Sequence, residues 1–257
     1  MWGFQSWRRR RVLRRVRLPA DLWQAVLADL PVLAGLSADE RTRLRELVIL
    51  FLHEKSLDAA GGLELTQIMR LHIATRACLP ILNLGLDYYR GWVSVIVYPD
   101  SFLVQHQYID AAGVVHNERR LRAGEAWERG PLILSWADVA QTFPGEGVNV
   151  VIHECAHKLD MLTGTVNGLP PLHPGMPVTA WAQAFTAAYA DLCGRVDENL
   201  DTAINPYASD SPAEFFAVAS EAFFEIPRLL QAAYPAVYEQ LRAFYRQDPG
   251  ARMARPC

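Results

Sequence analysis

The chain has 257 residues, about half of them hydrophobic, with charged residues a fifth of the total and a mean hydropathy near zero. That composition suits one large domain or two small ones and excludes a disordered chain. The net charge of −3 is unevenly spread: seven arginines and no acid fall between Arg8 and Arg17, and outside them 18 basic residues face 28 acidic ones, so the body is a poor binder of nucleic acid and no direct DNA binding is expected.

In chain order, residues 1–18 read as a basic, flexible arm, since ends fray unless tied down; its charge could also meet RNA, acidic protein or anionic lipid. No apolar stretch of signal-peptide length follows it, and the longest apolar run found, Leu47–Leu52, is far short of a membrane span. The four cysteines (Cys78, Cys155, Cys193, Cys257) are scattered without a CxxC, which suits a reducing cytoplasm. The remainder, 19–257, reads as one domain with a helical part over 19–90 and a catalytic part over 91–257.

Ser37-x-x-Glu40 is a capping box before a helical apolar pattern. Leu63–Leu79 is predicted as a second long helix, stopped by Pro80. The period then changes. "GWVSVIVYP", "SFLVQHQYI", "GVVHNERRL" and "GPLILSW" are β-branched and aromatic, punctuated by Gly and Pro, and read as strands. Helices return from Val148 onward, in "VTAWAQAFTAAYADLC", "PAEFFAVASEAFFEI" and "PRLLQAAYPAVYEQLRAFYR". Helices, strands and helices describe an α+β domain with a small mixed sheet.

His153-Glu154-Cys155-Ala156-His157 fits H-E-x-x-H. On a helix, residues four apart share one face, so the two imidazoles can grip one zinc ion. Glu154 is offset by about 100°, borders the metal and can take a proton from activated water. Val151, Ile152, Cys155, Leu159 and Leu162 fall on the opposite, core-facing arc, which makes Cys155 a small buried hydrophobe. Asp160 is assigned to orienting a ligand histidine. It stands where the extended motif of some zinc peptidases has glycine, and Thr163 where they have a third histidine, so that class is excluded. The third ligand is then expected from a distant acid. Glu214, Glu221 and Glu225 are spaced seven and four apart on one helix face. Glu214 and Glu221 lie about 10 Å apart, too far for both to reach one ion. Ser211-Pro-Ala-Glu214 is also a good capping box, so Glu214 has a purely local alternative. His106, His116 and His173 lie outside the motifs and read as structural.

"HECAHKLD" paired with "YASDSPAEFFAVASEAFF" resembles the Mlc titration factor A family of zinc metallopeptidases. So do "LPILNLGLDYYRGWVSVIVYPDSF", "GVVHNERRLRAGEAWERGPLILSW" and "FYRQDP". The likeness covers nearly the whole chain after the arginine run, which is not expected of the family. The catalytic part is also similar to the anthrax lethal factor protease domain in its Tyr-x6-Glu arrangement. The resemblance implies a zincin-like fold of the gluzincin type and one zinc on His153, His157 and Glu214. It implies Glu154 as general base and Tyr207 facing the substrate oxyanion. It further implies a cytoplasmic peptidase with aminopeptidase-type activity on peptide or protein substrates, and binding of a Mlc-type glucose repressor. The alternative is a regulatory protein that sequesters the repressor, with peptidase activity secondary.

Overall fold

The structure, a computed structural model, describes residues 2–100, 102–109, 115–122, 124–126, 130–141 and 146–253, with backbone alone for 2–5, 102–109, 115–122, 124–126 and 253. Cys257 therefore lies outside the described residues. The first helices are α1 (Trp2–Arg15), α2 (Ala20–Asp29) and α3 (Ala38–Glu54), followed by strand β1 (Ser56–Ala59) and α4 (Gln67–Cys78). Then come β2 (Ser94–Tyr98), β3 (Phe102–Ile109), β4 (Val115–Arg122), β5 (Gly124–Ala126), β6 (Leu132–Ser135) and the short α5 (Trp136–Ala140). The C-terminal half is helical: α6 (Val150–Asp160), α7 (Val178–Asp197), α8 (Pro212–Glu225), α9 (Pro227–Ala233), α10 (Pro235–Tyr245) and α11 (Pro249–Met253).

The α+β expectation holds, and most of the chain is helical. The sheet runs β1-β2-β6-β5. β1, β2 and β6 are parallel, while β5 closes the edge antiparallel, with Glu125 opposite Ile133. β3 and β4 pair as a separate antiparallel ribbon. β1 and β5, with four and three residues, are too short to carry an alternating pattern. The Ser37 capping box forms as read: Ser37 Oγ accepts from Glu40 N and the Glu40 carboxylate accepts from Ser37 N. α4 starts later than its apolar pattern because Thr66 caps it. The helix expected from Pro227 onward is two, since Pro235 cannot donate to the preceding turn and opens α10 instead.

The arginine run, expected as a loose arm, is helical from Arg8 to Arg15. Arg9 pairs with Glu54 at 2.8 Å and Asp87 at 2.9 Å, and Val12 and Leu13 pack against the core. Among the described residues no helix is long and apolar enough to cross a membrane.

α8 is the centre of the C-terminal half. It is apolar nearly all round, so it is buried. Phe215, Phe216 and Phe224 meet Phe185, Phe244 and Tyr245 edge-on or tilted, and Phe223 stacks on Tyr245. Tyr245 donates to Ser220 Oγ, which donates to Phe216 O, so the hydroxyls in this core are satisfied. The loop after α6 ties three helices together at Gly168: its N–H donates to Asp160 Oδ2 at 2.7 Å and its carbonyl accepts from Trp181 at 3.0 Å. Gly168 has φ +79°, and a Cβ there would stand 2.5 Å from Pro212 O. Gly168→Ala is therefore expected to lose about 1–3 kcal/mol from the left-handed backbone alone, and more from the collision, read as a lowered urea midpoint against the parent protein.

Candidate metal centre

α6 begins at Asn149, whose Oδ1 accepts from Ile152 N at 3.2 Å. The wheel reading of α6 needs one correction. The core arc is buried as expected, but so is the face that carries the ionisable groups, and Leu162, counted with the core arc, lies beyond the helix and is exposed. His153, Glu154, His157, Lys158 and Asp160 are all buried. Buried groups of this kind must be paired or hold an ion.

α8 packs against α6 and supplies the pairing. Its carboxylate row, Glu214, Glu221 and Glu225, has three separate tasks. Glu225 Oε1 accepts from Asn149 Nδ2 at 2.7 Å. Glu221 Oε1 lies 2.8 Å from His153 Nδ1, and its other oxygen accepts from the backbone N–H of Asn149. Glu214 turns away from the capping role: Ser211 Oγ still accepts from Glu214 N, but the Glu214 carboxylate points at the histidines.

His153 Nε2, His157 Nε2 and Glu214 Oε2 converge. The two nitrogens are 3.2 Å apart, and the oxygen is 3.0 Å from the first and 3.4 Å from the second. Tetrahedral zinc bonds of about 2.0–2.1 Å put donor atoms roughly 3.3 Å apart, so the spacing fits one ion held by all three. Glu214 Oε2 is buried, and no hydrogen bond of normal geometry reaches it. Because Glu221 holds the Nδ1 proton of His153, its Nε2 is the nitrogen that faces the other two donors. The three meet favourably only with a cation between them, a proton or a metal ion. Burial works against charge on Glu214, but the two imidazoles hold its carboxyl well below the usual range. Burial likewise disfavours charge on His153, yet Glu221, Glu214 and Glu154 raise its pKa well above the usual value. A metal must displace that proton, so metal affinity falls as pH falls.

Glu154 is buried on α6 between the two histidines in sequence. Tyr207 stands at the rim on the short turn Pro206–Ser209, 42% exposed, its ring 6.1 Å from that of His153. The five residues singled out from the sequence thus fall in one neighbourhood. Asp160 does not orient a ligand histidine; its Oδ2 accepts from Gly168 N instead, and burial raises its pKa. The residue on a histidine's far nitrogen is Glu221, which the sequence reading left without a role. Its signal was the heptad step from Glu214 on an otherwise apolar helix. Cys155 is fully buried, and burial pushes its thiol up to about 12, as befits a core residue rather than a ligand. His173 lies 2.7 Å from Phe244 O through Nε2 and stacks on the Phe244 ring, a structural role.

The family described as "Glucose-regulated metallo-peptidase M90" matches residues 4–246, a span that takes in the arginine run. A metallopeptidase family implies a metal, and the three converging donors are the group that could hold it. Proteins called Mlc titration factor A are similar to this chain. That of Klebsiella pneumoniae subsp. pneumoniae is 40% identical over 90% of this chain and 87% of its own length. That of Salmonella arizonae is 40% identical over 90% and 93%, and that of Escherichia fergusonii 38% over 96% and 92%.

Glu221 holds His153 from the side away from the three converging atoms, so for a metal bound there Glu221→Gln is expected to weaken binding about 10–100-fold, with Glu214→Ala weaker still because a donor is lost. Competition against a zinc-binding dye ranks the two variants, and affinity in both should rise with pH.

Proposed function

The chain belongs to the glucose-regulated metallo-peptidase M90 family, and from that premise we propose that it is a zinc-dependent peptidase of the gluzincin type working in the cytoplasm. The observation that carries this reading is the meeting of His153 Nε2, His157 Nε2 and Glu214 Oε2 within 3.0–3.4 Å of one another, beside a buried glutamate. One zinc per chain would be held by those three atoms. Bound there, it supplies a Lewis acid that polarises a carbonyl and makes water acidic.

The chain's own groups do the rest. Glu221 fixes the ring of His153 through Nδ1. The Glu154 carboxylate takes a proton from the attacking water and returns it to the leaving nitrogen, so it serves first as base and then as acid. Tyr207, on a turn whose backbone N–H is anchored by Asn205 Oδ1 at 3.0 Å, donates its phenol proton toward the oxygen that gains charge. Its exposure leaves it room to turn toward a bound peptide. An aminopeptidase-like preference for small substrates is part of the proposal.

The name of the relatives favours a second activity. Their title, Mlc titration factor A, speaks of a protein that titrates Mlc. We propose that this chain also binds a Mlc-type repressor, through a surface of roughly 800 Å² that must extend beyond so small a site.

Chelation should abolish peptidase activity, and zinc should restore it. Glu154→Gln keeps every ligand and should hold its zinc while turnover falls about 10²–10⁴-fold. Tyr207→Phe should lower kcat about 10²–10³-fold with zinc content unchanged. Single-turnover assays on metal-analysed protein read both, and normal turnover by Glu154→Gln would remove the catalytic assignment. Because that substitution is nearly isosteric, its Kd for a Mlc-type repressor should equal the parent's; a tenfold loss, about 1.4 kcal/mol, in zinc-loaded protein would mean the repressor is read through the active site.

A further inference from the structure

Helix α1 presents a charged face that the proposed chemistry leaves unused. Its inward side is Arg9, Val12 and Leu13, at the three- and four-residue steps of one helix face. Arg9 holds Glu54 and Asp87 while Val12 and Leu13 pack on the core. Outward stand Arg8, Arg10, Arg11, Arg14 and Arg15, all exposed, with Arg17 continuing the row past the helix end. Among the described residues no carboxylate lies in ion-pairing range of any of these six. Trp7 shares that side at 46% exposure, with the Arg11 guanidinium 5.6 Å over its ring.

Six like charges on and just beyond a helix about 21 Å long repel one another, and among the described residues no acid is paired with them. The rest of the chain carries 18 basic residues against 28 acidic. We propose that this face binds an anionic lipid bilayer, with α1 lying flat on the headgroups.

Shape and composition fit a membrane. α1 is fastened to the protein along its Arg9–Leu13 side, so only its outward side is offered to a partner. What remains is one side, the shape that lies on a plane. An exposed tryptophan among arginines also suits the interface between headgroup and acyl chain, where the ring can sit while arginine stems reach the phosphates. The acidic body does not prevent this, since charges farther than about 8 Å from the surface are screened at physiological salt.

The test is co-sedimentation of the full zinc-loaded chain with vesicles of mixed phosphatidylcholine and phosphatidylglycerol, and with phosphatidylcholine alone. Binding is expected to the mixed vesicles only and to weaken as salt rises. Each outward arginine lost should weaken binding about fivefold, so Arg8→Gln/Arg11→Gln/Arg15→Gln together should lose about a hundredfold. Arg9 is kept, so α1 stays seated; unchanged circular dichroism and peptidase turnover check the fold. Equal binding to neutral vesicles, no binding to anionic ones, or full binding by the triple variant would overturn the proposal. Tighter binding to a DNA duplex than to the anionic vesicles at the same salt would overturn it in favour of nucleic acid. Concentration-dependent self-association abolished by the triple variant would overturn it in favour of a second copy of the chain.

Discussion

Glu221 occupies the point on which the rest of the site depends. One of its oxygens holds His153 Nδ1 and the other the backbone N–H that starts α6. A carboxylate buried to this degree is costly unless each oxygen is paired, so α6 can begin only where α8 supplies it. The same bond fixes the ring of His153 and turns its Nε2 toward His157 and Glu214. About two turns away on α8, Glu214 adds a second, partly buried carboxylate, and His157 adds a second imidazole. Glu221 and Glu225 are paired locally, and at the centre three donors share a space that a cation would fill. The fold around it, an apolar α8 gripped by aromatic rings, keeps those donors from relaxing apart.

Lys55 and Lys158 are two further buried charges, and both meet the Trp92 ring. Lys55 Nζ donates to the carbonyls of Tyr89 and Trp92 and stands 4.0 Å over the Trp92 ring. Lys158 Nζ is 5.3 Å from the same ring and donates to Gly130 O at 3.1 Å. Burial lowers both to about 8. The indole they share replaces part of the hydration they lose. Lys158 thereby links the helix that carries both histidines to the loop ahead of β6.

What could be read from the sequence was whatever is local. The H-E-x-x-H step, the Ser37 capping box and the apolar periods of α3, α7 and α8 each depend on residues within a few turns, and all are present. Glu214 was legible as one of three acids on a face; its seven-residue distance from Tyr207, through family resemblance, singled it out. Pairings across long separations were not legible. Asp160 was assigned to a histidine because it shares their helix face, but the Gly168 N–H, brought near by a loop, claims it. Glu221 meets His153 across 68 residues. Seating α1 needed Glu54 and Asp87, which lie far from Arg9 in the chain. Short strands such as β1 are set by their neighbours in the sheet rather than by their own pattern.

The central claim is that two imidazole nitrogens and one carboxylate oxygen hold a single ion. X-ray absorption at the zinc edge of the loaded protein addresses it directly. The account predicts one zinc per chain with two histidine nitrogens at about 2.0–2.1 Å, the remaining neighbours oxygen. Sulfur at about 2.3 Å, a single histidine, or failure to take up zinc at neutral pH would contradict it.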